Sequence, residues 1–138
     1  MILTKTTCTR ALTRLGIVGQ EVKAVKLSDL DGFIEVQTAN KSFFVPTELV
    51  KSSFVELRKE GSKTLQVKAL GNLVYSVSNP AKKSCYHVKR TDTSVICQCE
   101  DYRKMVETGI KNPCCKHGYA VLNVLGYASL RDYLIAGE

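Results

Sequence analysis

The sequence predicts an α+β protein in which antiparallel β hairpins are flanked by helices, with a ββα arrangement near the C-terminal end. Three observations carry this. Apolar and polar residues alternate in short paired runs separated by turn residues, as in strands with one buried face. Two N-terminal segments instead repeat their apolar residues every three or four positions. And of six cysteines and two histidines, four cysteines and one histidine fall within residues 97–117, where a hairpin gives way to a helical pattern.

In chain order, residues 6–15 place Cys8, Leu12 and Leu15 at helical spacing beside Ala11. Thr6 or Thr7 can cap that helix, and Gly16 or Gly19 ends it. Strands are expected at "EVKAVKL" (21–27) and "FIEVQT" (33–38), joined through "SDLDG", where Gly32 tolerates the positive φ of a tight turn. After "SFFVP" the stretch "TELVKSSFVELRKEG" brings Val50, Phe54 and Leu57 round at i, i+4 and i+7, with Thr47 as cap and Gly61 as stop. "TLQVKAL" and "NLVYSVS" then alternate about a Gly71–Asn72 turn, and "SCYHVKR" with "SVICQC" forms a further hairpin after Asn79–Pro80. The last third is helical, with a short turn after Cys99 and helices over 117–125 and 129–135. Residues 1–70 form one α/β unit of no recognised type, and 72–138 a second built around the cysteines.

Composition narrows the function. The chain has 138 residues, no Trp and 44% hydrophobic content, so its core rests on Leu, Val and Ile. No stretch approaches the roughly eighteen apolar residues of a membrane helix. The N-terminal "MILTKTTCTRALTRLG" is too polar for a signal peptide. An intracellular protein, cytoplasmic or at the nucleoid or nucleus, is expected, and there clustered cysteines bind metal or do chemistry more often than they form disulfides. Twenty Lys and Arg oppose thirteen Asp and Glu, a net charge of +7, which favours polyanionic partners. The densest excess is "AKKSCYHVKR" (81–90), read equally well as a solvated hairpin with guarded edges or as a phosphate-contacting patch.

The cysteine spacing has chemical consequences. In a strand, Cys97 and Cys99 share a face but stand about 6.6 Å apart. Two thiolates on one zinc sit about 3.8 Å apart, given bonds of about 2.3 Å. The strand must therefore bend or end at Cys99. Cys115 and His117, two apart, cannot both lie on one face of a regular helix. That puts Cys115 in the loop, which Pro113 favours, and His117 in the first helical turn. From His117, Ala120, Val121, Val124 and Leu125 complete a core-facing stripe. Cys97, Cys99, Cys115 and His117 would then enclose one Zn2+ as a closed set, structural rather than catalytic.

Cys-x-Cys followed by Cys-x-His, with Asp101–Tyr102 after the first pair and "CKHGYAVL" (115–122) at the second, resembles the SWIM zinc finger. The resemblance covers about residues 72–126, including the hairpins that lead into the finger. One departure is visible. The family has a single Pro-Cys-Lys-His where this chain has Pro113-Cys114-Cys115-Lys116-His117. Cys115 keeps the family's spacing to His117 and Ala120 and is taken as the ligand, with Cys114 a packed or spare thiol. Cys85-x-His87 repeats the ligand spacing inside a strand, but no Ala-Val helix follows it, so it reads as a hairpin face. A disulfide staple and a Cys nucleophile with His117 as base are the rival chemistries. Neither finds support in a secretory signal, an orienting acid or an oxyanion arrangement.

The resemblance implies a non-enzymatic module that binds DNA, RNA or a partner protein in recombination, transposition or transcription. Lys82, Lys83, Lys89, Arg90, Arg103, Lys104 and Lys116 are the candidate backbone contacts. The alternative is a protein–protein adaptor with a purely structural finger.

Overall fold

The computed structural model describes residues 3–27 and 31–136. Ser28, Asp29 and Leu30 of the expected "SDLDG" turn lie outside the described residues. Among the described residues the architecture is α+β, with two antiparallel sheets and five helices. It divides into two compact units, Met1–Leu57 and Arg58–Glu138.

The first unit opens with α1 (Lys5–Arg14), which starts earlier than Thr6 or Thr7 would set it. Its cap is Thr4, whose hydroxyl accepts the Thr7 amide at 3.1 Å and so satisfies one of the unpaired donors at the helix start. Strands β1 (Val22–Leu27), β2 (Phe33–Thr38) and β3 (Ser42–Pro46) form a sheet in sequential order. The "SFFVP" strand escapes a periodicity reading because it is short and ends on proline. Pro46 is tolerated because it sits at the last position of an edge strand, opposite Phe33. Cys8, Ala11 and Leu12 of α1 pack with Val22, Ile34, Val36, Val45 and Val50 as the core of this unit. The helix α2 (Thr47–Ser62) supplies Val50 and runs through Gly61, one residue past the expected stop.

In the second unit β4 (Gln66–Gly71), β5 (Val74–Asn79), β6 (Ser84–Arg90) and β7 (Val95–Cys97) make a four-stranded meander. The β4–β5 turn carries positive φ at Gly71, Asn72 and Leu73, so two residues with side chains share the left-handed region with glycine. Tyr75, Val77, Val88 and Val95 are buried on one face. Against that face lies α4 (Lys116–Leu125), which contacts all four strands. Between β7 and α4 the chain forms α3 (Glu100–Glu107), and it finishes with α5 (Leu130–Ala136). Two full turns of helix thus stand where the sequence predicts only a short turn. The Tyr133 hydroxyl of α5 donates to the Thr91 carbonyl, and its ring meets Tyr127 edge-on at 5.4 Å. No helix among the described residues is long and apolar enough to cross a membrane.

Candidate metal centre

The strand β7 ends at Cys97, two residues sooner than the bend required at Cys99. Ending there releases Gln98 and Cys99 from the pleat and lets the second sulfur swing toward the first. Cys99 then becomes the N-cap of α3, with extended backbone and its sulfur accepting the Tyr102 amide at 3.4 Å. Cys115 is the N-cap of α4, also extended, and makes no side-chain capping bond. His117 follows as the second residue of that helix.

The consequence is a cluster. The sulfurs of Cys97, Cys99 and Cys115 and a ring nitrogen of His117 all lie within 4.8 Å of one another, and all four residues are buried. The Cys115 sulfur stands 3.7 Å from Nδ1 of His117, close to the separation of about 3.8 Å between ligands on one tetrahedral ion. The four residues can hold one metal ion. Three thiolates around a dication leave one net negative charge, and two helix N-termini begin at the cluster. Their unpaired amides and positive dipole ends oppose that charge.

The metal-free thiols differ in their hold on protons. Cys99 is drawn far toward the thiolate, because the Cys115 and then the Cys97 thiol donate to it, and the Tyr102 amide adds to this. Cys115, hydrogen-bonded to Cys97 and Cys99 and buried, is pushed up. Cys97 rises to about 11. The bond from Cys115 lowers it, and its own bond to Cys99 together with burial outweighs that.

The surroundings hold the ligands in place. The ring of Tyr86 on β6 packs on His117 with centroids 4.9 Å apart, orienting the imidazole. Asp101, in the first turn of α3, receives a two-pronged ion pair from Arg58, with Nη2 to Oδ1 at 2.8 Å and Nε to Oδ2 at 3.1 Å. Tying down the chain just after Cys99 is thus the task of Asp101, whereas Glu100 only pairs with exposed Lys104 at 3.1 Å. Arg58 could not be found from local pattern, since it lies 43 residues from its partner. Gly118 was also missed. A Cβ there would stand 3.0 Å from the Cys114 sulfur and 3.1 Å from a Val95 methyl, so glycine lets α4 lie this close to β7 without pressing on either side chain.

Cys114 does not join the cluster. It is buried beside Gly118, its thiol directed to the Cys115 carbonyl at 3.8 Å, and burial pushes it up to about 12. Cys85 and His87 are exposed on β6, on the opposite face from Tyr86 and Val88. Of the candidate phosphate contacts, Lys82, Lys83, Lys89, Arg103 and Lys104 are exposed, while Arg90 and Lys116 are half-buried. The Arg90 Nε is buried without a hydrogen-bond partner, and the Lys116 stem runs along Gly61.

No family model, no curated protein and no solved structure matches the chain. Fold and geometry together define it as an α+β protein with a buried three-cysteine, one-histidine cluster able to hold one metal ion.

Proposed function

We propose that this chain is a SWIM-type zinc-binding module that binds nucleic acid, DNA in the first instance, as an accessory protein in a transaction such as recombination, transposition or transcription. The observation that carries the reading is the buried cluster of Cys97, Cys99, Cys115 and His117. Three thiolates with one imidazole are a soft donor set that suits tetrahedral zinc. Four protein ligands leave no position for substrate, so the ion is structural and the module is not an enzyme. Zinc would pin the end of β7 to the starts of α3 and α4, adding folding free energy where three short elements meet. The +7 net charge favours a polyanionic partner.

The test is a titration of the zinc-loaded chain with DNA and RNA at several salt concentrations, with and without a chelator, after zinc is quantified per chain. One zinc per chain is expected, with affinity that falls steeply as salt rises because each neutralised phosphate releases counterion. Chelation should weaken binding. Salt-insensitive binding, or none, overturns the nucleic-acid reading and leaves the adaptor role to a partner pull-down. A chain that takes up no zinc overturns the whole.

A further inference from the structure

The four-stranded sheet has a second face, opposite α4 and the metal cluster. Tyr75, Val77 and Val88 are the buried residues of β5 and β6, so strand alternation turns Ser76 and Ser78 of β5, and Cys85, His87 and Lys89 of β6, to the other side. Register extends that face. Ser76 stands opposite both Lys68 of β4 and His87 of β6, and Ser78 stands opposite Cys85. Lys68, Cys85, His87 and Lys89 are exposed, and the Ser76 hydroxyl and Cys85 thiol are 3.1 Å apart.

The charge on this sheet is one-sided. No Asp or Glu occurs between Glu60 and Asp92, a span that holds six Lys and Arg. Lys82 and Lys83 occupy the β5–β6 turn at one end of the face. The nearest following acid, Asp92, is in the β6–β7 turn at the opposite end. Four lysines elsewhere are matched, Lys23 to Glu21, Lys26 to Glu35, Lys51 to Glu48 and Lys104 to Glu100. Among the described residues Lys68, Lys82, Lys83 and Lys89 have no ion-pair partner. Four unmatched cations and two serine hydroxyls on one acid-free surface are the chemistry of backbone contact rather than base reading.

We infer that the open face of the β4–β7 sheet, centred on Lys68, Ser76, Cys85 and Lys89, is the surface on which the phosphate backbone of duplex DNA docks. The inference rests on the nucleic-acid reading above and adds to it a location and a form of the ligand. The form follows from what the face lacks. It carries no Phe, Tyr or Trp, and His87 is a lone ring on it, so it offers no run of stacking platforms for the successive splayed bases of a single strand. Strand spacing puts Lys68 and Lys89 about 12 Å apart, so they neutralise separate phosphates. The metal centre, on the other face, keeps the sheet in shape and does not touch the DNA.

Cys85 makes the inference testable on the unaltered protein, because it is exposed and the other five cysteines are buried. The zinc-loaded full chain would be alkylated with iodoacetamide, alone and with a saturating duplex of mixed sequence, and the rate at Cys85 read by mass spectrometry. Severalfold protection is expected. In parallel, Lys68→Glu with Lys89→Glu should weaken duplex binding about tenfold or more and lower the salt slope by about one per lysine. Lys51→Glu, at a lysine already paired with Glu48, should bind as the parent does, and zinc content verifies that each variant is folded. Duplex that binds while Cys85 stays fully reactive, or that binds the double variant unchanged, overturns the inference and leaves the nucleic-acid reading standing. A single strand that binds more tightly than the duplex overturns the choice of ligand. No binding of any nucleic acid by the parent overturns the reading itself.

Discussion

At the scale of single residues, ligand choice turns on the pair Cys114 and Cys115. They are adjacent and both buried, yet only Cys115 has its sulfur within the cluster. Alanine at Cys97, Cys99, Cys115 or His117 should each abolish stoichiometric zinc, and Cys114→Ala should spare it, as metal analysis of the purified chains would show. Proton release provides a second reading of the same site. Cys99 is held toward the thiolate, while Cys97 and Cys115 are pushed above the usual thiol range. Zinc binding at neutral pH should therefore expel protons, chiefly from Cys97 and Cys115, measurable by calorimetry in buffers of different ionisation enthalpy. Gly118 tests the packing beside the site. Alanine gains about 1 kcal/mol of helix propensity, but its methyl presses on Val95 and Cys114, and overpacking costs about 1–3 kcal/mol. Gly118→Ala should lower stability to denaturant by about 1 kcal/mol net, and a more stable variant would show that α4 can shift.

At the scale of elements, two helices depend on what lies at their first residue. The start of α3 is held by the Cys99 cap and by the clasp of Arg58 on Asp101, whose side chains are 14% and 38% exposed. A bidentate pair this sheltered should couple by about 1 kcal/mol. A double-mutant cycle with Arg58→Ala and Asp101→Ala would measure that coupling, and hydrogen exchange in Glu100–Glu107 should quicken in both single variants. A coupling near zero would leave the Cys99 cap as the sole anchor. Much of this architecture was legible beforehand. Strict alternation within Gly and Asn turns placed β2 and β6 at their observed bounds, and i, i+4, i+7 spacing found α2. The ligand spacing even dictated that Cys115 precede a helix that holds His117. Where legibility failed, the cause is physical. A thiol is not among the usual capping side chains, so α3 looked like a turn. The strand β3 is set by pairing with β2 rather than by its own pattern. Arg58 meets its partner only after the chain has folded.

At the scale of the whole molecule, the protein's response to alkali can be derived from groups that burial keeps neutral. Burial raises Cys114 from 9.0 to about 12 and Tyr119 from 10.0 to about 12, and it also raises Cys8. In the unfolded chain these groups lose their protons near the ordinary values, while the folded chain retains them. Between about pH 9 and 12 the unfolded state therefore binds fewer protons, and stability falls as pH rises. Below pH 9 this contribution is fully present. The zinc ligands are already deprotonated in the metal-bound form and should not add to the loss. Net positive charge also declines toward the sequence pI of about 9.2, which relieves self-repulsion, so no loss should precede the thiols. Below about pH 9 the zinc ligands of the unfolded chain still carry protons, and those of the metal-bound form do not. Thermal melting of the zinc-loaded chain should accordingly rise toward about pH 9 and then drop. Tyr119→Phe keeps the ring and removes the ionisable hydroxyl, so it should soften the drop above about pH 10 and leave the profile below about pH 9 unchanged. A decline that begins near neutrality, identical in parent and variant, would show that alkali acts through the metal centre instead.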